Sequence, residues 1–445
     1  MASRSTLSAN ATSPSPSVRQ TIPGATDFVG SGNFGWVIDR QQAEQLATVW
    51  AHRDSQRLGH ECAPLVEEFD LGYLITSTVT PAATVPPGDL PTTVVDKETG
   101  EVSTWPRLPF PAVQEMYRRS RPAQPAPRTV DPASQLLREI RRLPTPGTAA
   151  HLTVAGRMHR AWGAKGEAVL RHHRLVREYL DTQPPGHLVR GVDRHAELIV
   201  VSDVLHEHDH QRAAEGRAPA TLDEARAWFA GSLFELYWVR ESGDPAGGPA
   251  DRPCDSCIRF LVHMNVLPWS DLGFRQPRVP EAVPAPEPGR FPDEVAHALV
   301  AAGWAPHIGD EIMAAAAVRD VTAVVGASHS HVAFPAAVEA ITRFPGLIGA
   351  RRGPGEQVWI SRFDITPHLV AHNADTLADF AAVLGVRLFP IGTENQESIL
   401  AVDERGRVFA LDQAGEWFLG DDIDAALTTL LLGRAPARVR DDGTW

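Results

Sequence analysis

His195-Ala196-Glu197 and Pro253-Cys254-Asp255-Ser256-Cys257 are the stretches that decide how this chain of 445 residues is read. An imidazole and two thiolates can hold Zn²⁺ and leave its fourth position open, the arrangement of a catalytic rather than a structural zinc site. Two cysteines separated by two residues at a helix start can aim both sulfurs at one point, and the positive end of that helix favours the thiolates. Glu197 stands two residues beyond His195, at the entry to the apolar run Leu198-Ile199-Val200-Val201. There its carboxylate reaches the open position without being a ligand, as a proton carrier must. Two other readings stay open. A structural zinc site would need a fourth ligand, for which His263 or His206 are candidates. A redox pair of Cys254 and Cys257 would need a thioredoxin-like unit, and nothing nearby reads as one.

The surroundings read as an α/β unit. Residues from about Thr148 to Tyr179 read as largely helical, with apolar Leu170, Val176 and Leu180 opposite Arg171, Arg174 and Arg177. Leu198 to Leu205 reads as a buried helix. Thr221-Leu222-Asp223-Glu224 reads as a helix cap. Leu233 to Val239 reads as a strand, and Ile258, Leu261 and Val262 continue a helix opened by the cysteines. The other histidines here, His172, His173, His206, His208 and His210, read as solvated.

The order H-x-E … P-C-x-x-C is the signature of zinc-dependent deaminases of bases and nucleosides. On those two motifs, residues from about 150 to 275 resemble the YwqJ-related deaminases, a bacterial branch found among polymorphic toxins. The resemblance implies a three-layer α/β/α core with a mixed sheet. It also implies His195, Cys254 and Cys257 as zinc ligands, Glu197 as proton shuttle, and a nucleotide or single-stranded nucleic acid as substrate. No substrate-binding motif carries over.

Length and composition set the frame. About three domains are expected, and 43% hydrophobic with 22% charged residues describes a globular chain. Three cysteines make no disulfide scaffold; Cys62 reads as a small core residue and the chain as suited to a reducing, cytoplasmic setting. No apolar run approaches the ~18 residues that span a bilayer, so no membrane partner is expected. Residues 1–26 lack the apolar stretch of a secretion signal and read as a tail.

Residues 27–117 read as a small α+β domain: a strand at Gly35-Trp36-Val37-Ile38, a helix from Gln41 to Trp50, a strand from Leu71 to Val79, and a hairpin from Thr93 to Ser103 turning at Gly100. The helix followed by a sheet whose last turn holds Asp96-Lys97-Glu98-Thr99-Gly100 resembles the YrhB-like immunity-associated domains. Residues 118–147 read as a Pro/Arg-rich linker with a short helix at Ala133 to Arg142. The deaminase-like domain would span 148–276, and a second, Pro-rich spacer 277–290.

Residues 291–434 read as an α+β domain. Helices are expected at Phe291–Ala302, Pro335–Phe344, Ala371–Leu384 and Ile423–Leu432. Strands are expected from Leu388, at Ile399–Val402 and at Val408–Leu411. Phe334-Pro335-Ala336-Ala337-Val338, Phe344-Pro345-Gly346-Leu347, Leu388-Phe389-Pro390-Ile391-Gly392 and Val402-Asp403-Glu404-Arg405-Gly406 resemble the SUKH superfamily, third subgroup. Ala305-Pro306-His307-Ile308-Gly309 departs from that family's Pro-Gly-Arg turn. The resemblance implies a non-catalytic module that binds a toxin or immunity protein. Residues 435–445 read as a tail. The whole is expected to be multidomain α/β and α+β, with the deaminase core flanked by two α+β domains.

Net charge of −13 argues against a chain-wide nucleic-acid surface. It is unevenly spread: residues 151–180 carry six basic against two acidic groups, and 291–434 nine against nineteen. Asp421, Asp422, Asp424, Glu394, Glu397, Asp403 and Glu404 read as an acidic face for a basic partner. That partner would be a toxin or the stretch Arg157 to Arg177, and the 291–434 domain would fold alone beyond its spacer. Two functions follow from different classes: an enzyme that deaminates bases, or a non-enzymatic immunity or scaffold protein. Glu197 discriminates, because a pure binder has no use for it.

Overall fold

Helix α1 (Arg40–Leu58) starts at a capping box between Asp39 and Gln42 and ends at the left-handed Gly59. The computed structural model describes residues 38–80, 90–121, 132–272, 289–305 and 309–445. The expected tail 1–26, residues 35–37 of the expected first strand, 122–131 of the first linker, 277–288 of the spacer and 306–308 of the departing turn lie outside them. Ile38 itself is not in a strand. After α1 come the antiparallel strands β1 (Glu61–Glu68), β2 (Gly72–Thr80), β3 (Thr92–Asp96) and β4 (Val102–Trp105), then helix α2 (Phe110–Ser120). The β3–β4 hairpin turns at Gly100, whose φ of 68° suits glycine. Buried Asp96 ties this unit together: it accepts from Tyr117 Oη and Arg121 Nε at 2.6 Å each, and from the Glu98 and Thr99 amides. Helix α3 (Pro132–Arg141) falls where a short helix was expected.

The stretch expected to be helical from Thr148 is instead mostly strand. It forms β5 (Gly147–Val154), β6 (Arg157–Trp162) and β7 (Val169–Leu170), and only then helix α4 (Arg174–Asp181). The reason is the turn Ala155-Gly156, both at positive φ (50° and 77°), which closes a tight hairpin. Ala150, Leu152 and Val154 then alternate into the core. Helices α5 (Ala196–Ala214) and α6 (Leu222–Phe229), strands β8 (Leu233–Val239) and β9 (Gly248–Pro249), and helix α7 (Asp255–His263) follow. The sheet order is β6-β5-β8-β9, antiparallel throughout. A mixed sheet was implied here, but a parallel neighbour needs a crossover, and β8 and β9 are joined by a short return loop. The parallel strand of this segment, β7, pairs with β4 of the first sheet. Residues of α4, α5, α6 and α7 share one apolar cluster with β5, β6 and β8.

The remainder holds α8 (Asp293–Ala301), α9 (Glu311–Ala323), α10 (Pro335–Arg343), β10 (Ile348–Gly349), β11 (Phe363–Asp364) and α11 (Ala374–Leu384). It continues through β12 (Leu388–Glu394), β13 (Ser398–Asp403), β14 (Val408–Asp412), β15 (Gly415–Gly420), α12 (Ile423–Leu432) and β16 (Ala437–Arg438). The seven strands from β10 to β16 lie in sequence order, all antiparallel. Strand periodicity sorts the side chains. Phe389, Ile391, Leu400, Val402 and Ala410 face α8, α10 and α12, while Leu388, Ile399, Ala401, Phe409 and Leu411 face α11. The expected tail 435–445 is part of the fold: β16 pairs with β15, and the Trp445 ring stacks 4.7 Å from Phe418. The described residues from 38 to 445 form one compact unit, so the segments on either side of the spacer are packed together rather than held apart. The architecture is multidomain α/β. No helix among the described residues is long and apolar enough to cross a membrane.

Candidate metal centre

Gly191, at φ 61°, bends the chain into a single 3₁₀ turn (Val192–Arg194) that delivers His195 to the N-cap of α5. Glu197 thereby sits in the first turn of α5, where the helix dipole favours a carboxylate. Cys254 is the N-cap of α7, and Cys257 lies three residues on in its first turn. An N-cap side chain folds towards the third helical residue, so the spacing of the motif sets the two sulfurs side by side. Val189 N–H donates to the buried Ser256 Oγ at 3.0 Å, and Arg259 donates to the His187 carbonyl, which ties the loop before His195 to α7.

The structure brings His195, Cys254 and Cys257 together, their ligand atoms all within 4.8 Å of one another. His195 Nδ1 lies 3.7 Å from Cys254 Sγ and 3.4 Å from Cys257 Sγ. A tetrahedral zinc with its usual Zn–N and Zn–S bonds would hold such an N and S about 3.6 Å apart. The donor set therefore fits zinc in kind and in spacing. Glu197 is 1% exposed, and its Oε2 has no hydrogen-bond partner. A buried, half-satisfied carboxylate beside three metal-type donors is expensive unless something else meets it.

The electrostatics couple these groups. A hydrogen bond from Cys257 and the nearby imidazole hold the Cys254 thiol well below the ordinary thiol range. Burial pushes the Cys257 thiol up, and the neighbouring Cys254 adds to this. Burial pulls His195 down, but the Cys254 thiolate outweighs it and carries the imidazole up to about 10. Burial likewise raises Glu197, against the pull of His195.

The candidates for a fourth structural ligand are elsewhere occupied. The His263 ring packs 4.9 Å from Tyr179, and His206 Nε2 lies 3.1 Å from the Arg171 carbonyl. None of the five histidines expected to be solvated is exposed. His173 is buried, with Nε2 at 2.9 Å from Asp209; His172 meets the Asp193 carbonyl; His208 stacks on Trp228. His173 links the start of α4 to α5, and His208 links α5 to α6.

Several residues around the centre come from beyond residue 350. Gln413 Oε1 accepts from Ala196 N at 3.1 Å, directly after His195. Arg190 reaches Glu394 at 2.5 Å and Asp412 at 3.1 Å. Trp359 N donates to Leu188 O at 2.8 Å, and its indole donates to Asp255 at 3.2 Å. Glu397 lines the same cavity as His195 and Cys254. Only Glu394 and Glu397 of this group stood out in the sequence, as members of an acidic run.

Three family models match the chain. Residues 41–124 match the Immunity protein 35-like domain, where the sequence resembled YrhB-like domains. Residues 131–266 match the YwqJ-like deaminase, and residues 291–433 the SUKH-3 immunity protein. His195, Glu197, Cys254 and Cys257 all lie inside the YwqJ-like match. No curated protein and no solved structure matches the chain. A YwqJ-like deaminase segment is thus flanked by two immunity-protein-like segments, and the SUKH-3-like one packs against the face that carries the candidate centre.

Proposed function

We propose that the YwqJ-like segment is a zinc-dependent hydrolytic deaminase of a nucleic-acid base or nucleotide, working within a toxin/immunity system. His195 Nδ1 and the Cys254 and Cys257 thiolates would hold the ion. Zinc in such a site supplies Lewis acidity that makes water a nucleophile near neutral pH. Glu197 would take a proton from the attacking water and hand it to the leaving amine, so that an amidine C–NH₂ and water become a carbonyl and ammonia. Its helix position aims the carboxylate, and its burial raises its affinity for a proton. The observation that carries the reading is the unpartnered, buried Glu197 oxygen beside a donor triad of zinc spacing. A single-stranded nucleic acid or a nucleotide is the substrate class. A toxin or immunity protein is the partner class for the SUKH-3-like segment. Metal analysis of the full chain should find about one zinc per chain, with three protein ligands. Ammonia release over a panel of nucleosides and single-stranded oligonucleotides should then stop in Glu197→Gln. Zinc-free protein, or turnover that survives Glu197→Gln, refutes the mechanism.

The second reading, a non-enzymatic immunity or scaffold protein, draws on the two immunity-protein matches. It has no role for Glu197. Zinc-loaded chain that deaminates nothing, even after the covering segment is loosened, would favour it.

A further inference from the structure

The turn between β12 and β13 reaches the candidate centre. Glu397 N–H donates to Glu394 O at 3.2 Å across Asn395 and Gln396, both at positive φ (52° and 64°). Two consecutive left-handed residues make a tight, well-defined hairpin turn. Its position is fixed from both sides of the YwqJ-like segment. Arg240, just past β8, donates to the Gln396 and Glu397 carbonyls at 3.0 and 3.2 Å. Arg190, just before the 3₁₀ turn, holds Glu394 and the Ser398 hydroxyl at 2.5 and 3.3 Å. Four residues of the turn, Glu394, Gln396, Glu397 and Ser398, are therefore seated rather than merely nearby.

What the tip leaves open is small. The cavity shared by His195, Cys254 and Glu397 has a volume of about 40 Å³. Against the roughly 10–15 Å³ that a single water needs, this is a constricted space of a few waters. A larger cavity of about 180 Å³ adjoins it. Asn395, Glu397 and Cys254 line both cavities, so the tip stands between the outer one and the centre.

We propose that the β12–β13 tip is a built-in plug of the metal centre, with Glu397 standing in the entry between the outer cavity and the cavity lined by His195 and Cys254. The proposal rests on the metal reading above. The SUKH-3-like segment then restrains the deaminase-like segment of its own chain, and substrate enters only when the tip is withdrawn. The plug also shields the ion from exchange.

The test follows metal release from zinc-loaded full-length chain into excess chelator, with a colorimetric zinc dye as readout. Glu397→Ala and Arg240→Ala should each release zinc at least tenfold faster than the native chain. Glu397→Gln, which keeps the volume and removes the charge, should fall between them and the native rate. In zinc-free chain, Cys254 should react faster with an aromatic disulfide reagent in the same variants. If Glu397→Ala does not fold, Arg240→Ala carries the same reading, since it loosens the tip from outside the cavity. Equal release rates in all four proteins overturn the plug and leave the metal reading standing. A native chain that takes up no zinc overturns both.

Discussion

Replacing Arg190 by alanine should open the contact between the YwqJ-like and SUKH-3-like segments. The guanidinium lies 2.5 Å from Glu394 and 3.1 Å from Asp412, and the three side chains are only 10%, 8% and 9% exposed. An exposed pair would contribute about 0–1 kcal/mol. A buried one behaves differently: removing one partner strands the other charges, at a cost of about 3–5 kcal/mol. That corresponds to roughly a 10²–10⁴-fold rise in the open population. Global unfolding is a poor assay for a chain of several domains. Amide hydrogen exchange resolves the contact itself, at Trp359, whose N–H donates to Leu188 O, and at Gly355, whose N–H donates to Gly186 O. Both should lose protection by that factor, while amides in β2 and β3 keep theirs. The pH dependence has a definite sign. Burial raises Glu394, and Arg190 opposes the rise. Without Arg190 the carboxylate takes up a proton more readily, so the cost is full where it is ionised and shrinks as pH falls. Unchanged protection at Trp359 and Gly355 at neutral pH would refute the reasoning.

Glu197→Gln should keep zinc and lose about 10²–10⁴-fold in turnover, whereas His195→Ala should lose both; metal analysis beside ammonia release separates them. Gly191→Ala should also open the contact, because a Cβ there would lie 2.7 Å from Ala414 Cβ and 2.8 Å from the Trp417 ring at a φ of 61°; overpacking of this kind costs about 1–3 kcal/mol before backbone strain, and faster exchange at Trp359 reads it. The first domain should lose stability in acid. Burial alone would raise Asp96, but hydrogen bonds from Arg121 and Tyr117 outweigh it and hold the carboxyl down to about 2. A depressed carboxylate stabilises the fold above its unfolded value of about 3.9 and loses that contribution as pH falls through its folded value, so about 2 kcal/mol should disappear between roughly pH 4 and pH 2, read by acid denaturation against Asp96→Asn. Finally, salt at ~0.5 M should leave exchange at Trp359 nearly unchanged, because buried pairs are screened far less than exposed ones.

Much of the fold was legible wherever the signal was local. Thr221 and Glu224 form the capping box that their spacing announces. Leu233–Val239 is a strand over the residues its β-branched and aromatic content marks. Asp403 to Gly406 turns between β13 and β14 as expected, and the motif residues do meet. The failures have equally local causes. The β5–β6 hairpin is hidden in the sequence because the small Ala155-Gly156 turn carries no polar turn residue, and Arg171, Arg174 and Arg177 beyond it are spaced as on a helix face. Helix α9 was overlooked because Ala314-Ala315-Ala316-Ala317 offers no amphipathic period. Strand β15 was overlooked because the turn Gln413-Ala414 that opens it is short. His206 and His208 of α5 look solvated in a row of charges, yet His173 and Trp228 pack against them.

The contact over the candidate centre leaves no mark in the sequence, because no run of charge announces it. Seven acids between Glu394 and Asp424 read as one face for a basic partner. The fold disperses them. Asp403 is buried against Arg407, Glu404 pairs with Arg387, Asp424 with Arg290 and Arg343, and Asp422 caps α12. Arg157, Arg171 and Arg174 of the basic stretch are engaged in the same way, by Glu207, Glu101 and Glu178. Near the candidate centre, Glu394, Glu397 and Asp412 turn towards the YwqJ-like segment and Arg190 and Arg240 meet that turn, while Arg138 meets Asp379 and Arg142 meets Glu416 further off. Arg190 and Asp412 are 222 positions apart. Net charge describes the field a protein casts into solvent, whereas this contact depends on single buried pairs set by two chain reversals, at Gly191 and at Asn395-Gln396. Those reversals bring Arg190, Glu394 and Glu397 to the cavity that His195 and Cys254 line, and that shared lining makes the SUKH-3-like segment part of the same site.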